Sequence, residues 1–170
     1  RPAEIPMLKD KMAYVMDRAH HKRGSHAAKA LMNIIETFPR DLLFQISNEE
    51  LYESSIGILH LQERQRIKLF IHRDRYGRFY SCMVFVPKEM FNTEVRKTIH
   101  DLLADHLGGD GSEYNVQLSD SVLARLYFVI YVPPGSVVEY DVKEIEEQLR
   151  EATRNWTDDL HDALLESFGE

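Results

Sequence analysis

The chain has 170 residues, a formal net charge of −7, and 44% hydrophobic and 29% charged residues, which is an ordinary globular composition. It contains no run of 18 apolar residues and no signal peptide, and it opens without a Met, so we expect a non-membrane piece of a longer protein. The acidic balance argues against nucleic-acid binding, because attraction to phosphate supplies most of the non-specific affinity.

The first part of the chain has the periodicity of helices. Apolar residues recur at helical spacing over residues 5–20, and Ser25 is a suitable N-cap for a second helix. Ser47 and Glu50 have the spacing of a capping box that opens a third helix. Residues 1–65 are therefore predicted to form a helical connector.

At Arg66 the period of the apolar residues changes from about 3.6 to 2. Two strands joined by a tight turn are followed by a helix, and the same order is then repeated. The first predicted hairpin has strands at 67–73 and 78–86 with a turn at 74–77, and it is followed by a helix capped by Asn92 or Thr93 and closed by Gly108-Gly109. The second has strands at 114–118 and 124–132 with a turn at 119–121, and it is followed by a helix opened by a capping box of Asp141 and Glu144.

The order ββαββα predicts an α+β sandwich over residues 66–156, with two helices on one face of a four-stranded antiparallel sheet. A right-handed crossover gives the strand order first, second, fourth, third, which is a ferredoxin-like arrangement. Residues 157–170 are predicted to begin a further helical segment.

The sequence offers little for catalysis or metal binding. His20, His21 and His26 cluster without the spacing of metal ligands, and one cysteine cannot form a zinc knuckle. Cys82 lies in a predicted strand, where a buried inert thiol is usual, and a single cysteine indicates a reducing compartment. The Gly-rich run 108–111 leads from a helix into a strand, the reverse of a nucleotide-binding loop. We predict no catalytic, cofactor-binding or metal-binding residue.

Three arginines surround the first predicted strand turn. Arg73, Arg75 and Arg78 lie beside Phe79 and Tyr80, and ferredoxin-like RNA-binding modules also place strand aromatics beside basic residues. The match to their sequence signature is loose and the chain is acidic, so an RNA-binding module is only an alternative and no nucleic-acid partner is predicted.

Long runs of the sequence resemble the large NAD-specific glutamate dehydrogenases of bacteria. The resemblance covers nearly the whole chain, and such runs are far more specific than a short motif. They are residues 24–31, 36–41, 43–46, 60–64, 74–79, 81–82, 86–87, 91–93, 117–121 and 123–126.

The resemblance implies a position in a very long polypeptide, in which ACT-type regulatory domains precede a C-terminal catalytic dehydrogenase. It implies a cytoplasmic parent enzyme that deaminates L-glutamate oxidatively, with NAD bound in its catalytic domain. The chain lacks the Lys-Gly-Gly run of the catalytic lysine and a Gly-rich nicotinamide loop. We therefore expect a non-catalytic piece, with an ACT-like domain over 66–156 and no cofactor of its own.

Two interpretations of the arginines remain open at this stage. Arg73, Arg75, Arg78 and Arg125 are candidate contacts for the carboxylate of an amino-acid effector, since a guanidinium binds a carboxylate bidentately. They are equally candidates for salt bridges to other domains of the same polypeptide, in a purely structural docking module. We expect the parent to form a homo-oligomer.

Overall fold

The computed structural model describes residues 4–64, 66–118 and 121–169. The chain divides into two compact units that meet at residues 64 and 65. The first unit contains α1 (Pro6–Ala19), α2 (His26–Glu36), α3 (Arg40–Gln45) and α4 (Asn48–Arg64), and the second contains β1 (Lys68–Arg73), β2 (Phe79–Pro87), a short 3-10 helix (Lys88–Met90), α5 (Thr93–Leu107), β3 (Asp110–Leu118), β4 (Leu123–Tyr131) and α6 (Val142–Phe168).

The predicted caps of the helical unit are confirmed. The hydroxyl of Ser25 accepts a hydrogen bond from the Ala28 N–H at 3.2 Å, which satisfies one of the free donors at the start of α2. Ser47 and Glu50 form the reciprocal capping box, with the Glu50 carboxylate 2.9 Å from the Ser47 amide. Side-chain chemistry therefore fixes where α2 and α4 begin.

One charged side chain ties the short helix α3 to α1. The ammonium of Lys11 donates to the backbone carbonyls of Leu43, at 2.9 Å, and of Ile46. These carbonyls lie at the end of α3, where no further helical donor is available. Partial burial lowers the pKa of Lys11, because desolvation disfavours its charged form.

The sheet of the second unit has the order β1-β2-β4-β3, and all its strand pairs are antiparallel. The fold class and strand order predicted from the sequence are therefore confirmed. The two hairpin turns lie at opposite ends of the sheet, because Phe79 pairs with Tyr131 and Pro87 pairs with Leu123.

Both helices of this unit contribute to one core with one face of the sheet. Alternate strand residues such as Leu69, Val84 and Leu126 share this face and are buried with Leu103 of α5 and Leu149 of α6. The strand residues between them, including His72 and Arg125, lie on the opposite face.

The edge strand β1 is held by a buried carboxylate from α6. Glu146 is 4% exposed, and its Oε1 accepts the Leu69 amide at 3.0 Å and lies 3.3 Å from Lys68 Nζ. Its Oε2 lies 3.4 Å from the Arg150 guanidinium. An unpaired strand edge is a template for aggregation, and this contact satisfies one of its donors.

Three elements differ from the sequence prediction. The helix α3 was not predicted, and β3 begins at Asp110 instead of residue 114, with a bulge between Gly111 and Glu113. The predicted turn at 119–121 falls mostly outside the described residues. The helical segment expected to start at 157 is instead the continuation of α6, because no Pro or Gly interrupts the helix before Gly169.

Among the residues that the structure describes, no helix is long and apolar enough to cross a bilayer.

Candidate functional site

The turn between β1 and β2 is built around a buried acid. Asp74 is 5% exposed, and its carboxylate lies 2.8 Å from Nε of Arg78 and accepts the Arg78 amide at 3.2 Å. The hydrogen bond from the Arg78 guanidinium lowers the pKa of Asp74, and the same pair raises the pKa of Arg78. The charge of Arg78 is thus balanced inside the turn.

Arg73 is also held by backbone near the turn. Its Nη2 donates to the carbonyl of Ser136 at 3.3 Å and lies next to Gly77. Gly77 has φ +67°, and a Cβ there would lie 2.8 Å from that nitrogen. The turn therefore favours glycine because of its positive φ, and the end of the flexible Arg73 side chain occupies the space next to it.

Arg75 and Tyr76 project from the turn into solvent. Tyr76 is 73% exposed, with the guanidinium carbons of Arg75 and Arg78 at 5.9 and 5.2 Å from its ring centroid. Arg75 is an exposed cation whose contact in the structure is with this ring. It is the predicted arginine best placed to bind an anion.

A cleft lies at the same end of the sheet, between the end of α5 and the strands β3 and β4. It has a volume of about 540 Å³ and is lined by Ala104, Asp105, Gly108, Gly109, Asp110, Tyr131, Val132 and Pro133. A Cβ at Gly109 would overlap the carbonyl oxygen of Tyr131, so glycine is needed where α5 turns into β3.

The charge of this cleft favours a cation. Asp105 and Asp110 line it, and the C-terminal carbonyls of α5 add a negative partial charge. The amide of Val132 donates to the carbonyl of Arg78 at 3.0 Å, which joins the cleft to the arginine turn. We call the turn 73–79 and this cleft together the charged sheet end.

Arg125 does not belong to the charged sheet end. It pairs with Phe85 of β2 and Gln117 of β3. Phe85 is seven residues further along β2 than Arg78, a distance of about 23 Å. Its guanidinium donates to the side-chain carbonyl of Gln117. Burial lowers the pKa of Arg125. The structure therefore brings three of the four predicted arginines together and separates the fourth.

The acidic side of the charged sheet end comes from two residues that the sequence analysis did not identify. Asp105 lies in the helix predicted after Asn92 and Asp110 in the Gly-rich run 108–111, and neither was predicted as a site residue. Their approach to the arginine turn depends on the pairing of β3 with β4 beside β2. The sequence analysis predicted this strand order. The order alone implies that residues 108–110, at the start of β3, lie at the same end of the sheet as the first hairpin turn.

Among the described residues, the cysteine is buried and the histidines belong to no metal-binding group. Cys82 is fully buried, and burial raises the pKa of its thiol well above its usual range. No group of three or more His, Cys, Asp or Glu side chains among residues 4–64, 66–118 and 121–169 is arranged to hold a metal ion.

A four-stranded antiparallel sheet of this order, with two helices on one face and a helical unit before it, defines an ACT-like α+β protein. The family model for "Glutamate dehydrogenase, ACT2 domain" matches residues 68–157, and that for "Glutamate dehydrogenase, helical motif 1" matches residues 5–64. The chain belongs to the NAD-specific glutamate dehydrogenase family.

Curated relatives from three bacteria agree with this assignment, and each is named NAD-specific glutamate dehydrogenase. The protein of Halomonas elongata is 46% identical over 99% of the chain, and that of Pseudomonas aeruginosa is 36% identical over 98%. The protein of Mycobacterium tuberculosis is 29% identical over 92% of the chain. The chain spans about 10% of the length of each relative, so it corresponds to a small part of them.

Proposed function

We propose that this chain is a non-catalytic regulatory and structural region of an NAD-dependent glutamate dehydrogenase. The parent would convert L-glutamate to 2-oxoglutarate and ammonia in the cytoplasm, with NAD bound in a catalytic domain elsewhere in the polypeptide. The observation that carries the proposal is the family match of an ACT2 domain over residues 68–157. The partners are then other domains of the same polypeptide and other subunits of a homo-oligomer.

The charged sheet end is the part of this region that we assign to an amino-acid effector. An amino acid carries an ammonium and a carboxylate, and this end presents both signs of charge. Asp105 and Asp110, with the end of α5, suit the ammonium, and Arg75 suits the carboxylate. Strands β2 and β3 are two strand spacings apart, about 10 Å, so the long side chain of Arg75 must reach toward the cleft.

An effector at this end would regulate the enzyme by binding one arrangement of the domains more tightly than another. Arg73 and Arg78 have a different role, because each already has a partner within the chain, the Ser136 carbonyl for Arg73 and the Asp74 carboxylate for Arg78. They stiffen the backbone that carries Arg75, so the effector contacts reduce to Arg75 and the acidic cleft.

Calorimetric titration of the 170-residue chain with aspartate, glutamate and arginine tests the effector role. We expect saturable heat with one of the three, weakened at least about tenfold by Arg75→Ala and by Asp110→Asn. Arg66→Ala is the matched control, since Arg66 is exposed and precedes the opposite end of β1. Absence of heat at millimolar ligand would refute the effector role.

A purely structural docking role is the second candidate. It is favoured by the same internal contacts of Arg73 and Arg78, since side chains that are already paired within the chain contribute rigidity without a ligand. The two candidates differ in calorimetry, because a docking module gives no heat with free amino acids. Binding of a single-stranded RNA with salt-dependent retention would contradict both.

A further inference from the structure

The end of α6 presents an apolar stripe to solvent. Ile145 and Leu149 are fully buried under the sheet, and the same stripe continues through Leu160, Leu164 and Phe168, which are 44, 47 and 85% exposed. The last three are spaced four residues apart, so they fall within about 80° of the helix circumference. A stripe that is buried at one end of a helix and bare at the other is typical of a surface that binds a further partner.

The opposite side of this helix end is acidic. Asp158, Asp159, Asp162 and Glu166 lie in residues 157–168, which contain no Lys or Arg. Residues 65–170 also carry the whole excess of acidic over basic residues of the chain. A partner for the stripe is therefore expected to have basic residues around an apolar floor.

The helical unit contains such a surface, in a groove between α1 and α2. The groove has a volume of about 920 Å³. Met12, Met16 and Met32 line it, and methionine side chains adapt to the shape of an incoming helix. Helix-in-groove docking places the apolar face of an amphipathic helix on an apolar floor, and Leu160, Leu164 and Phe168 form such a face.

The length and charge of the groove fit the end of α6. Residues 160–168 span about 12 Å of helix, and the groove runs from Lys9 to His20 along α1, about 16 Å. Lys9, Arg23 and Lys29 supply three cations at its rim, against two acids, Asp17 and Glu36. The rim thus has the opposite net charge to the helix end.

We propose that residues 160–168 of α6 dock in the α1–α2 groove of a second copy of this chain. Leu160, Leu164 and Phe168 are exposed on the chain that carries them, so they are available to a second copy. The contact is heterologous, with a different surface on each copy, so a dimer keeps a free groove on one copy and a free helix end on the other and can add further copies. The inference does not depend on an amino-acid effector.

Sedimentation velocity of the 170-residue chain from about 1 to about 100 μM tests the contact. We expect wild type to form dimers and larger species as the concentration rises. Leu164→Glu removes the helix anchor and Met32→Glu blocks the groove, and each variant alone should be monomeric. Lys9→Glu with Lys29→Glu is a second groove variant that leaves the helix packing intact, and Leu118→Glu, at an exposed leucine of β3, is the control.

Mixing separates this contact from other modes of association. An equimolar mixture of the helix variant and a groove variant retains one intact groove and one intact helix end, so we expect a 1:1 dimer that neither variant forms alone. Self-association of the groove variants would show helix-to-helix pairing and overturn the proposal. Wild type that stays monomeric throughout would overturn it too, and would leave another part of the polypeptide as the occupant.

Discussion

The buried carboxylate of Glu146 allows a quantitative test of how the sheet edge is held. Glu146→Ala leaves the Leu69 amide without its acceptor, which lies at 3.0 Å, and removes the partner of Lys68. A hydrogen bond to a charged acceptor contributes about 1.5–3 kcal/mol, and an unsatisfied buried donor costs about as much, so we expect a loss of about 2–3 kcal/mol. Glu146→Gln keeps an acceptor and should lose about 1 kcal/mol.

Urea unfolding followed by far-ultraviolet circular dichroism measures this loss, with hydrogen exchange of the Leu69 amide as a local readout. Glu147→Ala is the matched control. It makes the same change on the same helix, and its pair with Arg150 at 3.0 Å is exposed, which makes its expected effect below about 1 kcal/mol. If Glu146→Ala cost no more than Glu147→Ala and left Leu69 exchange unchanged, the edge contact would not stabilise the sheet.

Three further predictions concern the turn, the cleft and the core. Asp74→Asn should destabilise the chain by about 1 kcal/mol at pH 7. Arg78 lowers the pKa of Asp74 in the folded state below its unfolded value. The stability difference between wild type and Asp74→Asn should therefore be fully present above about pH 4 and disappear as the pH falls through the folded pKa. A pH series of urea unfolding measures this difference. Gly109→Ala should lower the melting temperature sharply, because the new methyl group overlaps the Tyr131 carbonyl; an unchanged temperature would refute the close approach. The buried thiol of Cys82 should react with a thiol reagent at the rate of unfolding, and immediate reaction of native protein would contradict its burial.

Periodicity and capping chemistry predicted most of the fold. The change of period at Arg66, the Ser47 and Glu50 pair and the side chain of Asn92 are local signals, and the structure confirms the elements that they mark. The start of β3 was missed because Gly108-Gly109-Asp110-Gly111 has turn composition. Pairing with β4 draws Asp110 and Gly111 into the sheet, and a single sequence does not reveal that tertiary effect.

The candidate site was predicted less completely than the fold. The arginine turn is contiguous in sequence, so Arg73, Arg75 and Arg78 were recognised as a group. Their energetic roles differ because of partners far away in the chain, such as Ser136, which no local pattern indicates. The separation of Arg125 likewise follows from the register of β4 against β2.

Glu146 was overlooked for a similar reason. It lies on the amphipathic helix α6 next to other acidic residues, so its sequence context is that of a solvated helix face. Its function at the edge of β1 depends on a contact with Leu69, 77 residues earlier. Long-range polar contacts of this kind are set by packing, and the hydrophobic pattern predicts only that α6 covers the sheet.

Backbone amide chemical shifts of the 170-residue chain, recorded during titration with aspartate, glutamate or arginine, test the regulatory role most directly. The account predicts saturable shifts for one of these amino acids that are concentrated at residues 73–79, 108–110 and 131–136, and that Arg75→Ala abolishes. Shifts that centre on Arg125 instead, or that are absent for all three amino acids, would contradict the assignment of the charged sheet end as an effector site.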